Sequence, residues 1–236
     1  RRRDPRGLSE KGGRRATTVA IITDGNGRWA QKRGLDLVEG HRAGADNVKA
    51  RLRDAASLGI EQLTVYSFST ENWSRSPLEV AALMNMFAER IKSETPELDS
   101  EGVRMQFIGD RDDPRVPEQL RDLMRWAETT TADNSVIDLF VAFNYGSRDE
   151  IVRAADGFTG RSVEEFDARL RSQGLRDPDL LIRTSGETRI SNFLLWQCAY
   201  SELVFHEALW PDFSRVDLED CLDEYAKRER RFGGRV

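Results

Sequence analysis

Long hydrophobic runs are missing from this 236-residue chain. No apolar stretch approaches the roughly 20 residues that a membrane-crossing helix needs. The N-terminal residues also lack the apolar core of a secretory signal. Cysteine is scarce: Cys198 and Cys221 are too few for a disulfide framework and do not have metal-ligand spacing, so a reducing, cytoplasmic setting is expected. Positive charge is in deficit, with a net charge of −5, which argues against a general nucleic-acid binder. No Pro/Gly/Ser-rich linker, internal repeat or low-complexity stretch divides the chain.

What is present is a globular balance, 39% hydrophobic and 33% charged. It predicts one α/β domain over residues 17–236, preceded by a basic tail over residues 1–16. The tail carries Arg1, Arg2, Arg3, Arg6, Lys11, Arg14 and Arg15 against Asp4 and Glu10. It reads first as a solvated, flexible segment and second as a peripheral contact with an anionic membrane surface.

Short β-branched or aromatic runs alternate with helical patterns. Strands are expected at 17–22, 62–68, 103–108, 136–143, from 180 and near 203–205. Helices are expected at 41–58, 78–91, 118–130, from 149 and at 217–230. This alternation predicts a mostly parallel central sheet flanked by helices. The polar, Gly-containing segments follow strands: Asp24-Gly25-Asn26-Gly27-Arg28, Ser69-Thr70-Glu71-Asn72, Asn144-Tyr145-Gly146-Ser147-Arg148 and Arg183-Thr184-Ser185-Gly186-Glu187. Loops after parallel strands share one edge, where ligands bind, so the four are expected to converge.

Their chemistry suits anions. Gly25 and Gly27 let the backbone approach a ligand, Arg28 is a phosphate donor, and Asp24 is a carboxylate for hydrated Mg²⁺. A plain βα turn with a capping Asp explains the same residue types about as well. Arg183, Arg189 and Ser191, with Glu187 and Glu202 nearby, suit a second diphosphate or a set of surface salt bridges. His41, read as opening a helix, either donates to phosphate or caps. His206 reads as packing. Trp29, Phe68, Trp73 and Trp196 either wall an apolar substrate or belong to the core. Gly25 to Ala30 also fits the G-x-G-x-x-A dinucleotide fingerprint. No helix is expected to begin there, because Lys32-Arg33-Gly34 interrupts the pattern, and that reading gives the Arg183–Arg189 segment no role.

Val19 to Ala30 resembles the first signature of the cis-prenyltransferase (undecaprenyl diphosphate synthase) family. So do Gly40-His41-Arg42-Ala43-Gly44, Phe68-Ser69-Thr70-Glu71-Asn72-Trp73, Asn144-Tyr145-Gly146, Asp179 to Glu187, Arg189 to Gln197, Tyr200-Ser201-Glu202-Leu203, Trp210-Pro211-Asp212-Phe213 and Arg230-Arg231-Phe232-Gly233. The resemblance implies a Mg²⁺-dependent transferase joining allylic and isopentenyl diphosphates, a homodimer with an apolar tunnel for the growing chain. Asp24, Asn26 and Asn72 would be the catalytic residues. Gly25, Gly27, Arg28 and His41 would hold the allylic diphosphate, and Arg183, Arg189 and Ser191 the second one. Trp29, Ser69, Glu71 and Trp73 would orient substrate, and Asp24 and Glu202 would bind the metal.

The departures point to a specialised member. Leu37 stands where the family usually carries a diphosphate-gripping arginine, a contact worth about 1.5–3 kcal/mol. Thr23 replaces a usual Met, and the stretch between Arg148 and Asp177 is short. Phe140 and Phe143 lie on the strand before Asn144; a ring facing the tunnel would shorten the product, and alternation turns only one of them that way. The expectation from these departures is a short-chain or irregular, lavandulyl-type coupling of two allylic diphosphates. A conventional polyprenyl diphosphate synthase is the alternative.

Overall fold

A computed structural model describes residues 14–170 and 174–228. Six strands form one sheet in the order β3-β4-β2-β1-β5-β6, and every neighbouring pair is parallel. The strands are β1 (Thr18–Ile22), β2 (Gln62–Ser69), β3 (Val103–Ile108), β4 (Ile137–Tyr145), β5 (Leu180–Arg183) and β6 (Glu202–Phe205). The helices are α1 (Asn26–Lys32), α2 (Leu37–Ser57), α3 (Pro77–Ser100), α4 (Glu118–Thr130), α5 (Ser147–Ala155), α6 (Val163–Leu170) and α7 (Arg215–Lys227), with short 3₁₀ turns at Thr70–Ser74 and Trp210–Asp212.

Alternation along the strands sorts the core into two layers. Val19 and Ile21, Leu63 and Val65, Leu139 and Phe143, and Leu180 and Ile182 face the layer made with α2, α3, α4 and α7. Ala20 and Ile22, Tyr66, Phe140 and Ala142, and Leu181 face the other, against Phe193, Leu194 and Cys198. Phe140 and Phe143 therefore point to opposite layers, as the pleat requires.

Most strand and helix bounds shift by one to three residues from the sequence reading, and three helices differ by more. A helix does begin at the fingerprint: α1 spans seven residues and closes at Gly34, whose φ of 65° stops it. Its exposed, charged residues and short length gave no periodic signal. Helix α2 starts at Leu37, so His41 lies in its second turn and does not open it. Helix α3 runs on through Pro96 to Ser100, because Leu98 is buried and Glu97 and Glu101 pair with Lys49 and Arg53 of α2. Nor does the tail reach residue 16. Arg14 stacks on Tyr225 and donates to its hydroxyl at 2.6 Å, Arg15 donates to the Leu58 carbonyl, and Ala16 is buried. Residues 1–13, and the Arg230–Gly233 segment, lie outside the described residues.

Beneath the second layer, Glu150 accepts hydrogen bonds from the Tyr145 hydroxyl at 2.6 Å and from Gln197 Nε2 at 3.1 Å, while Gln197 Oε1 is buried without a partner. Burial pushes the Glu150 carboxyl up, despite these two donors. A carboxyl raised in the folded state binds its proton more tightly there, so stability falls as pH climbs from the unfolded to the folded value. Glu150→Gln removes that charge and brings an amide donor beside Gln197. We expect the substitution to raise stability by about 1 kcal/mol at neutral pH. The gain should vanish near pH 4, where both side chains are neutral, and urea titrations at the two pH values check this.

Candidate active site

The strand order reverses between β1 and β5: β1 leads to β2 on one side, and the chain crosses over from β4 to β5 on the other. A crevice therefore opens at the carboxyl ends of these two strands, the place where open parallel sheets bind ligands. The four polar loops follow β4, β2, β1 and β5, which are contiguous in the sheet, so the expected convergence is present.

Register explains why residues 159 positions apart meet. Ile22 pairs with Arg183, so the β1 and β5 loops leave the sheet side by side. They are braced by Thr184: its hydroxyl donates to the Asp24 carbonyl at 2.7 Å and accepts from the Asp24 N–H at 3.0 Å. Arg183, only 4% exposed, donates to Asp24 Oδ2 at 2.9 Å, to Ser191 Oγ at 2.7 Å and to the Arg189 carbonyl. Arg28 donates to Asp24 Oδ1 at 3.3 Å and to Ser185 Oγ at 2.6 Å, and it pairs with Glu187. Glu187 also pairs with Arg189. Burial raises the Asp24 carboxyl, but the hydrogen bond and charge of Arg183, with the charge of Arg28, outweigh it and hold the group below its ordinary value. Asp24 is therefore ionised at neutral pH.

Gly25 takes φ 112°, and a Cβ there would come within 3.0 Å of Leu209, so no other residue fits without strain. Asn26 is wedged between α1 and α2: a Cβ on Gly44 would lie 2.4 Å from its Oδ1, and one on Gly40 would lie 2.2 Å from its carbonyl oxygen. That Oδ1 is buried without a partner. His41 lies 3.7 Å from Glu79; burial, then the charge of Arg75, lowers its pKa, with Glu79 opposing. A neutral imidazole at this place keeps one N–H to donate.

The loops show the backbone strain of a functional site. The non-glycine residues with positive φ among the described ones are Asn144, at the end of β4, and Ser185, Ser191, Asn192 and Leu194, in the segment after β5. β2 is irregular where it ends, its register to β4 shifting between Tyr66 and Ser69. Asn72 closes the following turn by accepting from the Ser69 N–H at 3.0 Å.

From this mouth a cavity of about 740 Å³ runs between α2, α3 and the sheet. Asp24, Asn26, His41, Ser69, Glu71, Asn72, Arg183, Arg189 and Ser191 all line it. Away from the polar loops its wall is largely apolar, from Phe143 and Phe87 near the mouth through Val48, Leu52, Val65, Leu83, Ile91, Val141, Leu98, Met105, Phe107, Met124 and Leu139. Phe143 belongs to the side wall, packed on Phe68 and Phe87, and does not plug the cavity, which continues past it to Leu139 and Met124.

Several expected residues lie elsewhere. Gly25, Gly27 and Arg28 form the rim and are not part of the cavity wall. Trp29 turns outward, its indole donating to Asp212 at 2.7 Å under Arg33. Trp73 stands behind the wall, donating to Asn144 Oδ1 at 2.7 Å and packing on Phe68. Trp196 donates to Asp167 and meets Phe166 edge-on, and it is not part of the cavity wall. His206 packs edge-on to Phe213. Glu202 does not join Asp24 within the chain. It begins β6, where it pairs with Leu180 and through it with Val19, at the opposite edge of the sheet, about 16 Å along the strand direction from Asp24. Its carboxylate is taken up by Arg14 and Arg228. Among the described residues no group of three His, Cys, Asp or Glu side chains could hold a metal by itself. Residues not singled out from the sequence also line the mouth, namely Arg75, Arg148 and Asn192, and Lys49, Arg90 and Glu94 line the gap between α2 and α3.

The fold and crevice define an α/β protein whose buried Arg183 and further cations stand at the mouth of an apolar cavity. The chain belongs to the prenyltransferase family described as putative undecaprenyl diphosphate synthase, whose family model matches residues 22–233. It is 48% identical over 227 residues to an isoprenyl transferase of Clostridium perfringens, covering 92% of this chain and 89% of that protein. It is 48% identical over 226 residues to an isoprenyl transferase of Agrobacterium fabrum, covering 91% of each. Among solved structures it resembles lavandulyl diphosphate synthase from Lavandula x intermedia in complex with dimethylallyl diphosphate (TM-score 0.87, 36% identity, 92% of this chain and 98% of that one). It also resembles a probable undecaprenyl diphosphate synthase from Campylobacter jejuni (TM-score 0.78, 27% identity, the same coverage). The chain is a prenyltransferase acting on isoprenyl diphosphates, and no helix among its described residues is long and apolar enough to cross a membrane.

Proposed function

We propose that this prenyltransferase elongates an allylic diphosphate by repeated addition of isopentenyl diphosphate, with the growing hydrocarbon lying in the cavity between α2, α3 and the sheet. The observation that carries this reading is the cavity's reach. Its wall follows α3 from Leu83 to Leu98, about 22 Å at 1.5 Å per residue, far beyond what a single branched unit fills.

Two diphosphates have separate places at the mouth. The allylic one fits the rim of Gly25, Gly27 and Arg28 with Asn26 and His41, where the first N–H groups of α1 have no helical partner. The isopentenyl one fits Arg183, Arg189 and Ser191. In each turn the allylic carbon–oxygen bond breaks and its electron pair leaves with the diphosphate. The alkene electrons of isopentenyl diphosphate form the new carbon–carbon bond, and a proton is then lost to a diphosphate oxygen. Arg28 and Arg183 stabilise charge developing on the phosphate oxygens. One or two ionised carboxylates together with phosphate oxygens are the donor set that Mg²⁺ uses, so Asp24 with diphosphate oxygens would hold that ion. When bound, the ion would supply charge neutralisation to the departing group.

A second reading is irregular coupling of two allylic diphosphates. It is favoured by Leu37, 48% exposed and placed against Gly27 where a cation would grip the donor, and by the likeness to the lavender synthase. Mass spectrometry of products from the purified chain with Mg²⁺ and matched substrate pairs separates the two. Products many isoprene units longer than a farnesyl primer, formed only with isopentenyl diphosphate, support elongation. Branched products made from dimethylallyl diphosphate alone would replace it with irregular coupling.

A further inference from the structure

The cations lining the cavity differ in one respect. Lys49 pairs with Glu97, Arg75 with Glu79, Arg90 with Asp46 and Glu94, Arg183 with Asp24, and Arg189 with Glu187. Arg148 lines the same cavity, yet among the described residues its guanidinium has no ion-pair or hydrogen-bond partner; only its backbone N–H is engaged.

That backbone is held by Asn192. The Asn192 carbonyl accepts from the Ser147 N–H at 2.8 Å, and its side-chain oxygen accepts from the Arg148 N–H at 2.9 Å. The side-chain amide donates to Glu71 Oε1 at 3.1 Å. The Ser147 hydroxyl in turn accepts from the Leu195 N–H at 3.0 Å. Asn192 therefore joins the loops after β2, β4 and β5 at one residue, held at φ 61° immediately after Ser191. Ser191 accepts from Arg183, so the clamp ties the Arg148 backbone to the residue next to the proposed Arg183–Ser191 phosphate position. An exposed, unpaired guanidinium whose backbone is held at the cavity mouth is free to make a bidentate phosphate contact.

We propose that Arg148 is a further binding residue for the diphosphate of the second substrate and that Asn192 is its positioning residue. The proposal rests on the reading of two diphosphate positions given above. Arg148→Gln should raise the KM for isopentenyl diphosphate about tenfold while the KM for the allylic primer stays within about twofold. Arg148→Lys, which keeps the charge without the fork, should recover part of the loss. Asn192→Ala should move the same KM in the same direction, and the Arg148→Gln/Asn192→Ala double variant should be no worse than Arg148→Gln alone, because both act through one contact.

Calorimetric binding of inorganic pyrophosphate to the same proteins gives a readout independent of turnover. Weaker binding by Arg148→Gln supports the proposal even if no isopentenyl diphosphate is consumed, an outcome that would sink the elongation reading alone. An unchanged pyrophosphate affinity together with an unchanged isopentenyl KM overturns it, as does an equal rise in both KM values.

Discussion

Replacing Asp24 by Ala or Asn is expected to lower kcat/KM by about a thousandfold or more, the largest activity loss of any single change in this chain. Asp24 lies where the two proposed diphosphate positions meet, with one oxygen toward Arg28 and the other toward the nearly buried Arg183. Its pKa is held down, so at neutral pH it places a full negative charge beside the two proposed anion positions. In a purely anion-binding crevice that charge would be a liability, since like charges at such distances repel. It is useful if a divalent cation bridges the carboxylate and the phosphates. The two substitutions should therefore separate binding from turnover. Without divalent ions, Asp24→Asn should bind pyrophosphate as tightly as the native chain or more tightly, because a repulsive charge is gone and Arg183 and Arg28 are released. With Mg²⁺ the native affinity should rise and that of the variant should not. Asp24→Ala leaves the buried Arg183 less compensated and should also lose some stability; the near-isosteric Asn guards against reading unfolding as chemistry. Activity within tenfold of native in Asp24→Asn would remove the carboxylate from the reaction.

The general plan of this molecule is open to a reader of its sequence because parallel strands buried on both faces are written as short apolar runs. β3 and α4 match their expected bounds, and the loops after β1, β2, β4 and β5 announce themselves by polarity. Convergence of Asp24 with Arg183 follows from topology alone, since both end strands that neighbour one another. What eluded pattern reading has physical reasons. Helix α1 is too short for a period to show, and α6 carries only Val163, Phe166 and Leu170 as large apolar residues. The family resemblance places Glu202 with the metal. It opens a strand, however, and the parallel direction of β6 puts its first residue at the far edge of the sheet. Tryptophans mislead for a different cause. Trp29 and Trp73 each send the indole N–H to a polar partner, Asp212 and Asn144, and that bond turns the ring from the cavity. Arg148 and Asn192 carried a faint signal in their polar neighbours, but pairing state, which distinguishes Arg148 from the other cavity cations, is written only in three dimensions.

Under the proposed elongation, Val141→Phe should shorten the product more than any other single change in the cavity wall. Strand β4 offers Leu139, Val141 and Phe143 to the cavity, successive steps of about 7 Å down one face, with Val141 midway between the mouth and the closed end. Phe143 is already accommodated by stacking on Phe68 and an edge contact with Phe87, so its ring lies in the wall. A ring at 141 has no such recess: β2 carries Val65 alongside it in register, and α3 faces it with Ile91 and Leu98 nearby in the same apolar layer. The ring must therefore project into the channel and close roughly the deeper half of it to hydrocarbon. The diphosphate loops are untouched, so the first condensation should proceed at close to the native rate while later ones stop. Product profiles from one primer would show the native distribution collapse to markedly shorter chains with total isopentenyl incorporation reduced in proportion. Phe143→Ala, which empties wall volume at the mouth, should leave the maximum length unchanged, since the limit lies deeper. If Val141→Phe leaves chain length unaltered, hydrocarbon does not travel along β4, and the cavity between α2 and α3 has another occupant.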